Sequence, residues 1–220
     1  MPLWTMVIAV ILTGTTALGP VSVQPPERNS ASSDIILLGD SVMAGMSRSE
    51  QGKAYLEKRF RYIFGAAGCQ RLLAEGCMEM SKESAFDYFL RSINRVNRAV
   101  VIATGYNDYN SAPMFRQAVN KFSTAAEKRG IVVVWLTYME RGNVKLKART
   151  FNAVLREQQQ RLPNLHILDW NRFSAKEKDW YAADGVHLRG LGPLKMTQAI
   201  ANFLTDLDQQ GLLPNVAGNV

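Results

Sequence analysis

Asp34-Ile35-Ile36-Leu37-Leu38-Gly39-Asp40-Ser41 is the stretch from which the fold can be read. Its four aliphatic residues run without polar alternation, as in a strand buried on both faces, and Gly39 marks the turn that ends it. Ser41 then lies where a strand gives way to a helix, beside backbone N–H groups that point outward. That position suits a serine nucleophile and a developing oxyanion. The spacing is not the Gly-x-Ser-x-Gly elbow. Gly, Asp and Ser are also common turn residues, so the tripeptide alone is weak evidence and reads more simply as a capped helix start.

The same alternation repeats downstream. Glu50 to Phe60 has the composition of a helix, and Tyr62-Ile63-Phe64 is a short strand ahead of a glycine-rich loop. Ser84 to Arg95 reads as helix, Ala99 to Ala103 as a buried strand, and Ala112 to Arg129 as a helix ending at Gly130, a good C-cap position. Ile131-Val132-Val133-Val134-Trp135-Leu136 is the strongest strand of the chain. A helix over Lys147 to Arg161 stops before Pro163, Leu165 to Asp169 forms a fifth strand, and Gly192 to Asp208 forms the last helix. Apolar strands alternating with helices predict an α/β fold, a three-layer α/β/α sandwich around a five-stranded parallel sheet.

Ligands of such sheets bind outside the carboxyl ends of the strands. Ser41 follows the first strand, Gly65 to Gly68 the second, and Gly105-Tyr106-Asn107-Asp108 the third, while Asp184-Gly185-Val186-His187 falls in the long loop after the fifth. A carboxylate three residues before a histidine can orient the imidazole of a general base. The chain has only two histidines, and the other, His166, lies inside an apolar strand and reads as structural. Asp40 and Asp108 read as caps or hydrogen-bond acceptors, and Asn107 as a turn residue or an amide donor. Trp180, Tyr181, Tyr106 and Tyr109 read as pocket lining or as packing.

With 220 residues, 47% hydrophobic and 20% charged, the chain supplies one sizeable core, and no shift in composition suggests a second domain. The front is different in kind. Met1 to Leu18 carries no charged side chain, and Met6 to Leu12 is an apolar run well short of the ~20 residues a bilayer needs. Residues 1–23 are therefore expected to be a signal peptide or an N-terminal anchor, followed by a flexible lead-in over 24–33, the domain over 34–210 and a tail over 211–220. Export is the expected fate. Cys69 and Cys77, an even pair close together, fit an exported disulfide, or two buried thiols if the front does not direct export. Without Cys-x-x-Cys or His-x-x-x-His spacing no zinc geometry assembles, so neither metal nor cofactor is expected. The net charge of +7 is spread over solvated faces without aromatic interleaving. That argues against a nucleic-acid partner and leaves an anionic surface such as a cell wall or lipid headgroups.

Together these motifs resemble the SGNH, or GDSL, hydrolase superfamily, whose blocks occur here in the family's order from about Asp34 to Leu204. They are Gly39-Asp40-Ser41-Val42, Gly105-Tyr106-Asn107-Asp108 and Asp184-Gly185-Val186-His187-Leu188, with a looser second block. For that block the family expects a glycine after strand two, and the chain offers Gly65 and Gly68. Gly68 is preferred, because Gly68-Cys69-Gln70-Arg71-Leu72 is similar to the Gly-Cys-Arg-Arg-Leu segment of exported actinobacterial members. In those proteins the cysteine pairs with a second one a few residues on, as Cys77 allows.

The resemblance implies a flavodoxin-like SGNH hydrolase fold with Ser41 as nucleophile, His187 as general base and Asp184 as the group that fixes its tautomer. It implies an oxyanion hole made by the backbone N–H groups of Ser41 and Gly68 and the side-chain amide of Asn107. The activity implied is that of an exported serine esterase, acting through an acyl-enzyme on a small-molecule or glycan ester. The alternative is O-acetyl transfer to peptidoglycan or another wall polysaccharide. Gly105 to Asp108, Val134 to Thr137 and Trp180 to Leu188 are similar to SGNH domains that some actinobacterial acyltransferases carry behind a membrane domain. The sequence as given holds no multi-span segment, so the transferase reading expects a separate acyl-donor membrane protein. A non-catalytic wall-binding protein would be expected to have lost one of Ser41, Asp184 and His187, and all three are present.

Overall fold

The computed structural model describes residues 33–215. The leader or anchor expected over 1–23, the lead-in as far as residue 32 and the tail beyond residue 215 lie outside these residues. Five strands, β1 (Ser33–Gly39), β2 (Tyr62–Ala66), β3 (Val96–Ala103), β4 (Val132–Leu136) and β5 (Leu165–Leu168), pair in parallel in the order β2-β1-β3-β4-β5. Seven α-helices connect and cover them: α1 (Ser41–Ala44), α2 (Glu50–Glu57), α3 (Ala85–Ser92), α4 (Ala112–Arg129), α5 (Lys145–Gln159), α6 (Trp170–Ser174) and α7 (Gly192–Gln209).

Successive strand residues feed two separate cores, which is why the strands are apolar throughout. Ile35, Leu37, Val101 and Val134 pack with Leu56 of α2 and Met196, Ile200 and Leu204 of α7. Ile36, Leu38, Val100, Val133 and Trp135 pack on the other face with Phe89, Phe122 and Phe151 of α3, α4 and α5. Each such side chain, fully buried, contributes about 1.5–3 kcal/mol. A one-residue slip of a strand would exchange its two sets of partners.

Side chains of Ser49, Ser84 and Ser111 cap α2, α3 and α4 by accepting from Gly52, Asp87 and Met114 N–H, and Gly130 ends α4 at φ 71°. Several boundaries differ from expectation. Helix α2 stops at Glu57 rather than near Phe60, because the N–H groups of Arg59 and Phe60 both turn back to the Leu56 carbonyl. Strand β3 starts at Val96, three residues before the apolar run. Its polar Arg98 is accommodated by donating to the Pro214 carbonyl and the Asp208 carboxylate. Helix α6 was not anticipated, although Asp169 caps it by accepting from Arg172 N–H.

One boundary bears on the site. Gly65, expected in the loop after β2, lies inside that strand opposite Leu38, and a Cβ there would collide with the Tyr88 ring. It is a packing glycine. Gly39 stands opposite Ala66 on one side and Ala103 on the other, so β1, β2 and β3 end level with one another. The segments beginning at Asp40, Ala67 and Thr104 therefore leave the sheet side by side.

Candidate active site

The turn after β1 is wired from below by Asp40, which has no exposed surface. One carboxylate oxygen accepts from Val42 N–H at 2.9 Å and so caps α1. The other accepts from Gly105 and Tyr106 N–H, both at 3.3 Å, and ties the β3 loop to the β1 loop. Burial pushes the Asp40 carboxyl up to about 6, against the pull of these three N–H donors. Ser41, the first residue of α1, is half-buried above it, while Val42 and Met43 anchor the helix in the core. Asp40 is thus the cap and acceptor that its place in the sequence suggested.

His187 arrives on a hairpin that the sequence did not reveal. Tyr181 and Leu188 form an isolated antiparallel bridge, made by Ala182 N–H to the His187 carbonyl at 2.8 Å and Arg189 N–H to the Trp180 carbonyl at 2.9 Å. Val186 and Leu188 point into the core, so the alternation of an extended chain turns the side chain of His187 outward between them. Gly185, at φ 73°, makes the tight turn. The turn rests on the loop after β4: a Cβ on Gly142, at φ 55°, would lie 2.7 Å from the Asp184 carbonyl oxygen.

These two ends meet. Ser41 Oγ lies 2.9 Å from His187 Nε2, and His187 Nδ1 lies 2.6 Å from Asp184 Oδ2. The other Asp184 oxygen accepts from Val186 N–H at 2.8 Å and His187 N–H at 3.0 Å. Slight burial raises the Asp184 carboxyl, but the His187 ring and the two backbone donors outweigh it and hold it below the usual aspartate range. An ionised carboxylate on Nδ1 requires the proton there and leaves Nε2 free to accept from the Ser41 hydroxyl.

The third side of the site is built around Gln70, which sequence reasoning missed. It is buried, and the orientation that satisfies its surroundings has its amide nitrogen donating to the Gly39 and Gly65 carbonyls at 2.7 and 3.2 Å. Its own carbonyl accepts from Thr104 Oγ1 at 3.1 Å and from Asn107 Nδ2 at 3.2 Å. That bond occupies one of the two Asn107 amide protons and orients the other. Gly68 lies in the turn just ahead. Among the described residues neither the Ser41 nor the Gly68 N–H has a hydrogen-bond partner. Cys69 and Cys77 form a disulfide with their Cα atoms 5.6 Å apart, and Cys69 sits at φ 63°, a conformation that non-glycine residues rarely adopt. No signal in the sequence pointed to Gln70, since glutamine is ordinarily a surface residue.

The remaining candidates fall into place around this frame. Both Asp108 oxygens accept from Leu72 N–H at 3.2 Å, and burial raises that carboxyl to about 6. Lys147 Nζ donates to the Tyr106 and Asp108 carbonyls at 2.9 and 2.6 Å, securing the loop that holds Asn107. The Tyr106 hydroxyl accepts from Met139 N–H, and Tyr181 is buried against Ser174, so both serve packing. Trp180 stacks near Trp170 and Phe173, whereas Tyr109 is exposed. His166 is half-buried in β5, and burial lowers its pKa. Among the described residues no three His, Cys, Asp or Glu side chains gather in a way that could hold a metal ion.

No protein family model matches the chain. A curated relative, "Putative peptidoglycan O-acetyltransferase YrhL" of Bacillus subtilis, is 26% identical over 173 residues, or 78% of this chain. The match spans only 24% of that longer protein. Among solved structures, the C-terminal catalytic domain of peptidoglycan O-acetyltransferase A from Streptococcus pneumoniae, bearing a methylsulfonyl adduct, superposes with a TM-score of 0.60 at 18% identity, covering 84% of this chain and 97% of that one. A GDSL-like lipase of Bacteroides thetaiotaomicron gives 0.63 at 16% identity, covering 79% and 88%. The family 3 carbohydrate esterase of Clostridium thermocellum gives 0.60 at 12% identity, covering 81% and 98%.

Proposed function

We propose that this chain, whose three-layer fold is that of the SGNH/GDSL hydrolases, is a serine esterase acting on a small-molecule or glycan carboxylic ester. The observation that carries this reading is the continuous path from Ser41 Oγ through His187 to Asp184, with contacts of 2.9 and 2.6 Å. His187 Nε2 takes the hydroxyl proton as Ser41 Oγ bonds to the ester carbonyl carbon, and the carbonyl oxygen becomes an oxyanion. The N–H groups of Ser41 and Gly68 and the Asn107 amide stabilise that charge. The imidazolium then gives its proton to the departing alkoxide, leaving an acyl ester on Ser41. Water attacks in the second half, with His187 again accepting a proton and returning it to Ser41.

A second reading, transfer of the acyl group to a sugar hydroxyl instead of water, is favoured by the printed names of two similar proteins, both peptidoglycan O-acetyltransferases. It would use the same intermediate and would draw the acyl group from a separate membrane donor. Export is part of the proposal. The uncharged, apolar front of the sequence supports it, as does the disulfide, since such bonds persist in oxidising compartments.

The test is labelling with a fluorophosphonate probe, which should mark the wild type and not Ser41→Ala. Labelling that survives Ser41→Ala, or is absent from folded wild type, overturns the serine mechanism. Mass analysis of chitooligosaccharide acceptors incubated with an acetyl ester then separates the two acceptors: acetylated sugar indicates transfer, and steady ester turnover without it indicates hydrolysis.

A further inference from the structure

Beside the residues assigned to the oxyanion side lies a cavity of about 290 Å³ whose walls include Arg71, Asp108, Tyr109, Gln117 and Lys121. A second, open groove of about 690 Å³ continues along α4 and is bordered by Gln117, Lys121, Thr124 and Lys128, with Phe86 and Leu90 from α3 opposite. Gln117 and Lys121 line both, so the two form one trough, which begins at Asp108, the residue after Asn107 in the chain. Its wall is one stripe of α4: Pro113, Gln117, Lys121, Thr124 and Lys128 recur every three or four residues. At about 1.5 Å per residue the stripe is about 22 Å long.

Basic side chains predominate along the trough, with Arg71, Lys121 and Lys128 against one acid, Asp108. Arg116 is engaged by Glu157, but neither Lys121 nor Lys128 has a carboxylate partner among the described residues. Lys121 Nζ sits 5.6 Å over the Phe86 ring, and the Arg71 guanidinium sits 5.6 Å over Tyr109. The buried Nε of Arg71 has no hydrogen-bond partner. The single acid in the lining, Asp108, already spends both oxygens on Leu72 N–H.

We propose that this trough binds an extended acidic polysaccharide, with one carboxylate meeting Arg71 and the chain continuing past Lys121 to Lys128, so that an ester-bearing unit is presented to Ser41. Aromatic faces at Tyr109 and Phe86 suit the apolar faces of sugar rings, and the paired length and charge exceed what a small ester needs. The inference rests on the esterase reading and adds the class of substrate.

The test uses the wild-type protein and unesterified oligomers, so that binding is read without turnover. A hexameric oligouronate should bind more tightly than neutral chitohexaose in calorimetric titration, and raising the salt concentration should weaken only the former. Replacing Lys121→Gln and Lys128→Gln together should weaken oligouronate binding about tenfold, at roughly two- to fivefold per exposed cation, with an unchanged melting temperature. Equal affinity for the two hexamers, or oligouronate affinity indifferent to both salt and the double substitution, overturns the trough. Binding to phosphatidylglycerol vesicles without binding to oligouronate also overturns it, in favour of a membrane surface. Fluorophosphonate labelling of the same preparation separates the two levels: labelled protein without acid preference rejects the trough alone, whereas unlabelled protein that still prefers oligouronate rejects the esterase alone.

Discussion

Asp40 stands one residue before Ser41 and Asp184 three before His187, yet the two carboxylates work in opposite surroundings. Asp40 is sealed from solvent and spends its oxygens on three backbone N–H groups from two loops. Asp184 is exposed, with one oxygen on its own turn and the other on the imidazole. Burial drives the first carboxyl up to about 6, while hydrogen bonds hold the second below its ordinary range. One positions backbone and the other sets a proton. The Ser41 side of the site is therefore part of the fold's core, and the His187 side is a surface hairpin applied to it.

If that division is right, damage to the two sides should be felt in different measurements. Asp184→Asn should lower kcat by about 10⁴-fold through the wrong imidazole tautomer, while the melting temperature stays put because an exposed polar swap changes stability by only about 0.5 kcal/mol. A large loss of stability in that variant would break the comparison. Asn107→Ala should cost about 10²–10³-fold in turnover, read with acetyl esters at fixed folded concentration. Asp40→Asn should do the reverse of Asp184→Asn. Its new NH₂ would face backbone donors, so unfolding free energy should drop by about 1–3 kcal/mol, or several degrees at about 2–4 °C per kcal/mol.

The pH dependence sharpens the contrast. A folded-state pKa of about 6 for Asp40, above its ordinary 3.8, means that the native state holds the proton more tightly than the unfolded chain does. Stability should then be fully favoured below pH 4 and decline as the pH rises toward 6, by on the order of 3 kcal/mol. Asp108, also near 6, adds to this slope. Denaturant unfolding at pH 4.5 and 7 should show the decline in wild type and a smaller one in Asp40→Asn. Asp184, held low, contributes in the other direction, with stability lost only as the pH falls through its folded pKa. Reducing Cys69–Cys77 should cost about 2 kcal/mol, measured as a shift in the denaturant midpoint.

The same division explains what the sequence could disclose. Strands β1, β3 and β4 were legible because both faces of the sheet are covered, which leaves runs such as Ile35 to Leu38 with no polar interruption. Helix α4 was legible at both ends because Ser111 and Gly130 each supply a local cap. The motifs at Ser41 and Asn107 stood out because each follows a strand end, and those at Asp184 and His187 because a carboxylate stands three residues before one of only two histidines. The hairpin beneath His187 was not legible: it is held by a single bridge of two hydrogen bonds, too short a pairing to leave a periodic pattern. Gln70 and Lys147 were missed for a related reason. Both bind backbone carbonyls of distant segments, and such contacts depend on the tertiary path rather than on neighbouring residues. The placement of Gly65 was a misreading of one boundary, since a glycine at the end of an apolar run resembles a turn until the Tyr88 ring above it is known.

Gly142 has a longer reach than its position suggests. Its bare Cα lets the loop after β4 press against the Asp184 carbonyl, so the hairpin carrying His187 takes its height from a segment that holds none of the reacting groups. A lengthened or side-chain-bearing loop at 141–144 would lift the hairpin and carry the imidazole away from Ser41. Two stretches far apart in the chain thus share one contact. An insertion accepted in one demands a compensating change in the other, and grafting either loop alone onto a related scaffold should fail where grafting both succeeds.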